Sequence, residues 1–463
     1  MPTARILVVG LFVVIIAILS EVVQDVRDAQ AIPAFARKYD FACNVCHVPG
    51  FPKLNDFGNV FRDQGYQLGT DGDVPTFEAL GKGFWPVSFR TTVGYQVADT
   101  RFNGQSLTSS GFGFTGLDVL SFGTLARNFS FGIVYTPGLK EAGFGTGSSL
   151  TDNNLESAFV RVMNLERFLG GAENTYLMNL KVGKFELDLP FSEKRAPTLN
   201  TPYLIYHFTP FGTINPFGLG DNQPGIELTG IKRTDLTGGY FRYSLGGYST
   251  NGGSFATDAG GIGRSMYFYG HVTQSFGGYG IVAGQRIGAF VLAGNAPTQC
   301  PAFTAGGPVG AGSTCDGTGT GTQGEPFRRV GVDASLTYGG QWNLFGTWMF
   351  ANDSSKLISA VPAQNAHWNG GFIELNYNPI QLPKWLFIYR YDWITNTQQG
   401  DPAVPGNVLN EQGHTIMARY YIHQSTRTDL ALHAEYNSSK IGGGGVTGNA
   451  YTQTTLVGFD FAF

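Results

Sequence analysis

Charge is the first thing this chain lacks. Only 14% of its 463 residues are charged, against about 25% in an average soluble domain. The formal net charge of −4 excludes the broad basic field on which nucleic-acid binding depends. Cysteine is rarer still: Cys43 and Cys46 form one pair, Cys300 and Cys315 another. Four cysteines in so long a chain exclude a disulfide-built scaffold. Beyond residue 30 there is no apolar run of the roughly 20 residues that a membrane-crossing helix requires.

Glycine and aromatics are abundant, with 66 glycines and 14% Phe, Trp and Tyr. A glycine-rich, aromatic-rich, charge-poor chain without spanning helices predicts many strands. The N-terminus reads as an export signal. Arg5 supplies the basic region, Ile6 to Ser20 is apolar, and Ala29-Gln30-Ala31 fits the small-x-small cleavage rule. Residues 1–31 would then be removed and the mature chain would begin at Ile32. The other reading is an uncleaved membrane anchor. Both carry the chain across an inner membrane.

Residues 43–47 read Cys-Asn-Val-Cys-His, the attachment spacing of a c-type haem. One turn of chain sets two thiols beneath the two vinyl groups of a porphyrin, and His47 follows as iron ligand. A thioredoxin-like pair would need a surrounding βαβ pattern, and a zinc site a second ligand pair. Neither is visible. A helix is predicted over residues 52–64, with Pro52 in its first turn and Gly65 past its end. Leu54, Phe57 and Phe61 then share one face, which with Phe35 offers a wall for the porphyrin; the plainer meaning of the stripe is an ordinary core. Between Ile32 and Trp85 there is no methionine and no second histidine. The sixth iron position is therefore open, or another part of the chain supplies the ligand.

From Trp85 to Phe463 the pattern changes. Segments of roughly ten residues alternate apolar and polar side chains and break at Gly, Asn, Asp, Ser or Thr. Trp385, Phe387, Tyr389, Tyr391 and Trp393 alternate with Arg390 and Asp392, and Ile373, Leu375 and Tyr377 with Glu374 and Asn376. Phe241, Tyr243 and Leu245 alternate with Arg242 and Ser244. Tight connections near 126–129, 233–237, 276–279, 338–340 and 424–428 alternate with long ones near 188–222, 250–262, 293–327 and 397–410. Short turns at one end and long loops at the other mark outer-membrane barrels. The count is about sixteen strands, and an even count returns both termini to one side. The last strand alternates and ends in Phe463. Since a sheet edge cannot face lipid, the expected architecture is a closed antiparallel β-barrel behind a small α-helical c-type haem domain, with residues 32–84 as that domain and 85–463 as the barrel. A Cys300–Cys315 disulfide would pin the longest loop.

The stretch from Ala31 to Leu68 resembles the N-terminal signature of the fused monohaem cytochrome–porins, outer-membrane proteins of iron-oxidising bacteria. The match lies in Pro33, Phe35, Ala36, Arg37, Cys43, Cys46, His47, Phe51, Pro52, Leu54, Phe57, Gly58, Phe61, Gly65 and Tyr66. Where many members carry Gln-Thr after the Phe-Ala-Arg run, this chain has Lys38-Tyr39. The resemblance implies one covalently bound haem c ahead of a sixteen-stranded barrel in outer-membrane lipid. It implies extracellular Fe(II) as electron donor and a periplasmic cytochrome or other carrier as acceptor. The alternatives are a haem-plugged porin for small solutes, and electron transfer with a different donor or acceptor.

Two further sets of residues are candidates. Met417, His423 and His433 are expected on the lumen side of the last strands, as a source of the sixth ligand or as hydrated lumen groups. Asp99, Glu141, Asp258, Asp316, Glu325 and Asp353 are expected in outer loops, where they would concentrate Fe(II) or simply be solvated. No facial triad for tight iron binding is visible.

Overall fold

In the computed structural model of the chain, residues 34–463 are described except 42, 48–51, 71–72, 82–84, 138–154, 172–174, 201, 214–216, 235–238, 250–265, 277–284, 298–323, 359–362, 405–408, 425–427 and 443–447. The expected leader, the Cys300–Cys315 pair, Phe51, Pro33, Glu141, Asp258 and Asp316 lie outside the described residues.

Sixteen strands close into one antiparallel barrel. They are β1 (Val87–Phe102), β2 (Gln105–Ala126), β3 (Phe129–Tyr135), β4 (Leu155–Val162), β5 (Asn179–Phe185), β6 (Gln223–Thr234), β7 (Gly239–Ser249), β8 (Met266–Ser275), β9 (Arg286–Pro297), β10 (Gly324–Tyr338), β11 (Trp342–Asp353), β12 (Ala366–Tyr377), β13 (Trp385–Gln398), β14 (Glu411–Gln424), β15 (Asp429–Ile441) and β16 (Ala450–Ala462). Each pairs with its chain neighbours, and β1 pairs with β16 from Arg90↔Ala462 to Phe102↔Ala450. The terminal residue completes the seam: Phe89 and Phe463 exchange backbone hydrogen bonds of 2.7 and 2.8 Å.

Period-two alternation is the cause of the two faces. Along β11, Trp342, Leu344, Trp348 and Phe350 are exposed outward, while Asn343, Phe345, Thr347, Met349 and Asp353 are buried inward. The outer belt is thus apolar, as lipid demands, and the inner face mixes polar and aromatic groups. The described tight connections fall as expected, 127–128 and 339–341 at the end where β1 begins and β16 finishes, with 186–222 at the other; 163–178, at the first end, is longer than expected. One outer connection departs from the pattern. β1 and β2 meet in a two-residue turn, Asn103-Gly104, both at positive φ, which suits a tight hairpin.

Two segments fill the lumen. Residues 186–222 fold inward, burying Leu187, Leu189, Tyr203, Ile205, Tyr206 and Phe208 against wall residues Phe345, Met349, Trp368 and Phe372. The N-terminal segment lies nearer the terminal end. Its described residues hold four short helices, α1 (Ala34–Tyr39), α2 (Cys43–Cys46), α3 (Asp56–Asp63) and α4 (Thr76–Gly81). Lys38 reaches Thr124, Arg62 accepts at its carbonyl from Arg161, and Gln67 accepts from the Asn128 amide.

Deleting Phe463 removes the two backbone hydrogen bonds at the seam, each worth about 0.5–1.5 kcal/mol. The expected result is a lower urea midpoint for the refolded barrel, followed by tryptophan fluorescence, while Phe463→Ala keeps most of the midpoint.

Candidate functional site

The site starts at α2. Its helical turn brings Cys43 and Cys46 onto one short element; the Cys43 side chain lies outside the described residues. His47 follows in a one-bridge pairing with Leu54. The His47 Nδ1 lies 3.2 Å from the Lys53 carbonyl oxygen. That contact favours the tautomer with the proton on Nδ1 and the lone pair on Nε2, the arrangement by which a backbone carbonyl orients a ligating imidazole. Burial pushes the His47 pKa down to about 4, so the ring is neutral at physiological pH, as ligation requires. Burial pushes the Cys46 thiol up to about 11. A dithiol redox pair needs the opposite shift.

The predicted helix over 52–64 is shorter than expected. It begins at Asp56, because the Asn55 side chain accepts from the Gly58 amide at 2.9 Å and caps it. Asn55 also ties the cap to the motif: its amide donates to the Cys46 carbonyl and its side chain to the Val45 carbonyl, both at 2.9 Å. Leu54 is therefore outside the helix, in the bridge to His47. Gly58 is demanded by this packing, since a Cβ there would collide with the Cys46 carbonyl oxygen. Phe35 and Phe61 meet edge to face at 5.1 Å, and Phe57 stacks towards Phe61 at 6.3 Å. Phe61 is buried, whereas Phe57 stays 40% exposed. A large apolar ring left open next to the Gly58–Cys46 contact suits a site that takes a porphyrin face. On the chemistry of its donors and this aromatic wall, the segment fits a c-type haem.

Long-range contacts fix the segment in the barrel. The Lys53 ammonium donates to Asn343 Oδ1 on β11 at 3.2 Å and to Asn376 Oδ1 on β12, and lies 4.4 Å from the Phe345 ring centroid. Burial lowers its pKa to about 8, with Glu374 opposing that shift. Asp63 at the end of α3 pairs with Arg242 on β7 at 2.5 Å, and Arg242 also pairs with Asp188 of the inward loop. His271 joins this cluster through Asp188 and Asp333, the latter at 3.0 Å. Lys53, Asp63 and Asp188 had no signal in the sequence, and Arg242 was legible only as a residue on the polar face of its strand, because their partners lie up to 323 residues away.

The three lumen candidates divide. Met417 and His433 are inward and buried, and His433 Nε2 contacts Glu435 Oε2 at 2.9 Å. His423 is not on that face. The register slips between Tyr421 and His423, so Tyr421 keeps the inward place opposite Ala431 and His423 lies opposite Leu430. One extra residue in a strand reverses the alternation beyond it. The row Asn376–Ile388–Met417–Glu435 runs across the wall from the Lys53 anchor, so Met417 is two interstrand spacings, about 10 Å, from Asn376. Among the described residues no group of three or more His, Cys, Asp or Glu is arranged to hold a metal ion.

The acidic candidates within the described residues are not loop groups. Asp99, Glu325 and Asp353 lie in β1, β10 and β11 and are buried. Asp99 pairs with Arg101 at 2.8 Å, Asp353 with Arg329 at 2.8 Å and Glu325 with Lys356 at 3.4 Å. Asp99 and Asp353 bind wall residues and Glu325 a lysine of the β11–β12 connection, which is neither solvation nor an open iron-collecting surface.

No protein-family model matches the chain, and no curated protein matches it. Solved structures similar to it are outer-membrane barrels. OmpF of Salmonella typhi is 11% identical, with 81% of this chain and 97% of that one covered at a TM-score of 0.48. The outer-membrane channel DcaP of Acinetobacter baumannii is 13% identical over 80% and 96% at 0.46. OprB of Pseudomonas putida is 12% identical over 84% and 96% at 0.46.

Two substitutions test how the segment is held. Gly58→Ala forces α3 away from α2 at an overpacking cost of about 1–3 kcal/mol, read as a loss of protease resistance in residues 34–81 of the folded barrel. Asp63→Asn leaves Arg242 with Asp188 alone and loosens the same segment, while the barrel's own urea midpoint changes little.

Proposed function

We propose that this chain is an outer-membrane β-barrel that holds one covalently attached c-type haem within its lumen and carries electrons across the membrane. The observation that supports this most is the position of the Cys-x-x-Cys-His segment: it lies inside a closed barrel, clamped by Lys53 to β11 and β12 and by Asp63 to β7. An apolar belt and a closed seam suit a bilayer, and the outer membrane is the compartment for strand-built spans.

When bound, the haem supplies reversible one-electron chemistry at iron. The residues supply the rest. Cys43 and Cys46 would hold the macrocycle by thioether bonds, and His47, oriented by the Lys53 carbonyl, would ligate the iron. Phe57, Phe61 and Phe35 would exclude water from one face. Met417 and His433 are the lumen side chains from which a sixth ligand would be drawn; His423 is not proposed. A bilayer of about 30 Å of hydrocarbon is too wide for one electron-transfer step, so a redox centre inside the barrel shortens the gap. Extracellular Fe(II) as donor and a periplasmic carrier as acceptor rest on the resemblance of residues 31–68 to the cytochrome–porins.

A second reading has its own support. A closed barrel of sixteen antiparallel strands is porin-like architecture, and by itself it supports a channel for small solutes more directly than it supports iron oxidation. Against an open channel stand the two segments inside the lumen.

Anaerobic mixing of matured protein with Fe(II), followed at the haem absorption bands, separates the readings. Prompt reduction is expected, with loss of the bands in Cys43→Ser/Cys46→Ser. No haem after maturation would sink the conduit. Reduction only by another donor would keep the conduit and remove iron. Rapid swelling of liposomes carrying the intact protein in small sugars would favour the solute channel.

A further inference from the structure

Between the N-terminal segment and the inward loop lies a cleft bounded by Lys53, Arg62, Arg195, Arg242 and Arg286, against one lining carboxylate, Asp188. Five cations around one small opening is costly to assemble unless carboxylates answer them. Part of the answer is internal. Arg242 is taken by Asp63 and Asp188, and Arg62 by Asp63 at 2.9 Å. Lys53 is taken by the wall amides of Asn343 and Asn376.

Arg195 and Arg286 differ. Arg195 directs Nη2 to Glu186 at 3.1 Å. Arg286 directs Nη2 to Asp333 at 3.1 Å and to the Pro190 carbonyl, and its Nε is buried without a hydrogen-bond partner. A guanidinium has five N–H donors in a planar fork, so each keeps donors beyond these contacts. The two come from different elements, the inward loop and β9. Both line the cleft together with Leu54, the bridge partner of His47. Phe191 and Phe345 flank the opening, with Arg286 4.7 Å from the Phe191 ring centroid.

We infer that Arg195 and Arg286 form a carboxylate-binding site for the two propionate arms of the haem tethered at Cys43 and Cys46. This rests on the haem reading above. Planar forks match carboxylates bidentately. The site takes the carboxylate edge, with the macrocycle left to the Phe57 side of the motif. The cations also bear on the iron: a nearby positive charge favours the ferrous state, which carries one positive charge fewer.

The test uses matured full-length protein in detergent, with Arg195→Gln, Arg286→Gln and the double variant. Midpoint potential and the propionate-bending band in resonance Raman are the readouts. A lower potential in each single variant, a larger fall in the double, and a shifted propionate band are expected. Unchanged potential and band in a folded double variant overturn the assignment. The same null result with altered succinate flux through liposomes assigns the arginines to passing anions instead, and also overturns it. Should the Gln variants fail to fold, Arg195→Lys and Arg286→Lys keep the ion pairs with Glu186 and Asp333 but lose the fork; an unshifted propionate band there is equally fatal. A wild type that matures without any haem band defeats the underlying reading, a result distinct from a haem whose potential ignores both arginines.

Discussion

Backbone pairing is the constraint on which this structure depends. In hydrocarbon every N–H and C=O needs a protein partner, so the sheet must close, and closure fixes everything else. It sends Phe463 back to Phe89, it sets the even count of strands, and it forces alternate side chains inward along every strand. An inner surface of this size cannot be filled by wall side chains alone, unlike the interior of an eight-stranded barrel. Here the chain fills it with two segments of its own.

The lumen is an electrostatic interior as much as a packed one. Asp63, Arg242, Asp188, His271, Asp333 and Arg286 form one connected set that ties the N-terminal segment, the inward loop and strands β7 to β10 together. Buried ion pairs are weak evidence for stability, since desolvation offsets much of the attraction. What they fix is position: an unmatched partner in this setting is costly, so the inserted segments have few alternative seats. The same logic explains why Lys53, with no carboxylate in contact among the described residues, takes two wall amides and an aromatic face.

Much of the barrel was legible because period two is a local signal. The alternation at Trp385–Trp393 and at Ile373–Tyr377 survives intact in β13 and β12, and the tight turns at 127–128 and 339–341 fall where the breaks in alternation put them. What failed was what alternation cannot carry. An extra residue near Ile422 turned His423 off the lumen face, and no local pattern announces a bulge. Leu54, Phe57 and Phe61 looked like one helical stripe, yet the Asn55 cap outcompeted Pro52 as the helix start and left Leu54 outside. Glu325 and Asp353 look like loop charges because their counterions, Lys356 and Arg329, come near only once β10 and β11 pair; Asp99, whose partner Arg101 is two residues on, lies in the far end of a long β1. The inward path of residues 186–222 was also hidden, since a long loop and a lumen plug have the same composition. Of the site, the motif from Cys43 to His47 was plain from spacing, while the residues that seat it were not.

The size of the seated segment bears on how it acquires its fold. Among its described residues only Ala36, Pro52, Phe61, Tyr66 and Ala79 are buried apolar side chains, far less than an independent domain of this length would need. Its anchoring contacts run to the barrel: Tyr66 meets Phe122, Gly65 abuts Met163, and Lys53 and Asp63 end on strands distant in sequence. A segment without its own core gains order from the barrel or from a covalently held group. On the proposed reading it gains it from both, and the order matters: thioether bonds to Cys43 and Cys46 are formed on an accessible chain, whereas the closed barrel encloses them. On that reading attachment would precede closure, and the barrel would then supply through Lys53 the fixed position that a short tethered loop could not hold by itself.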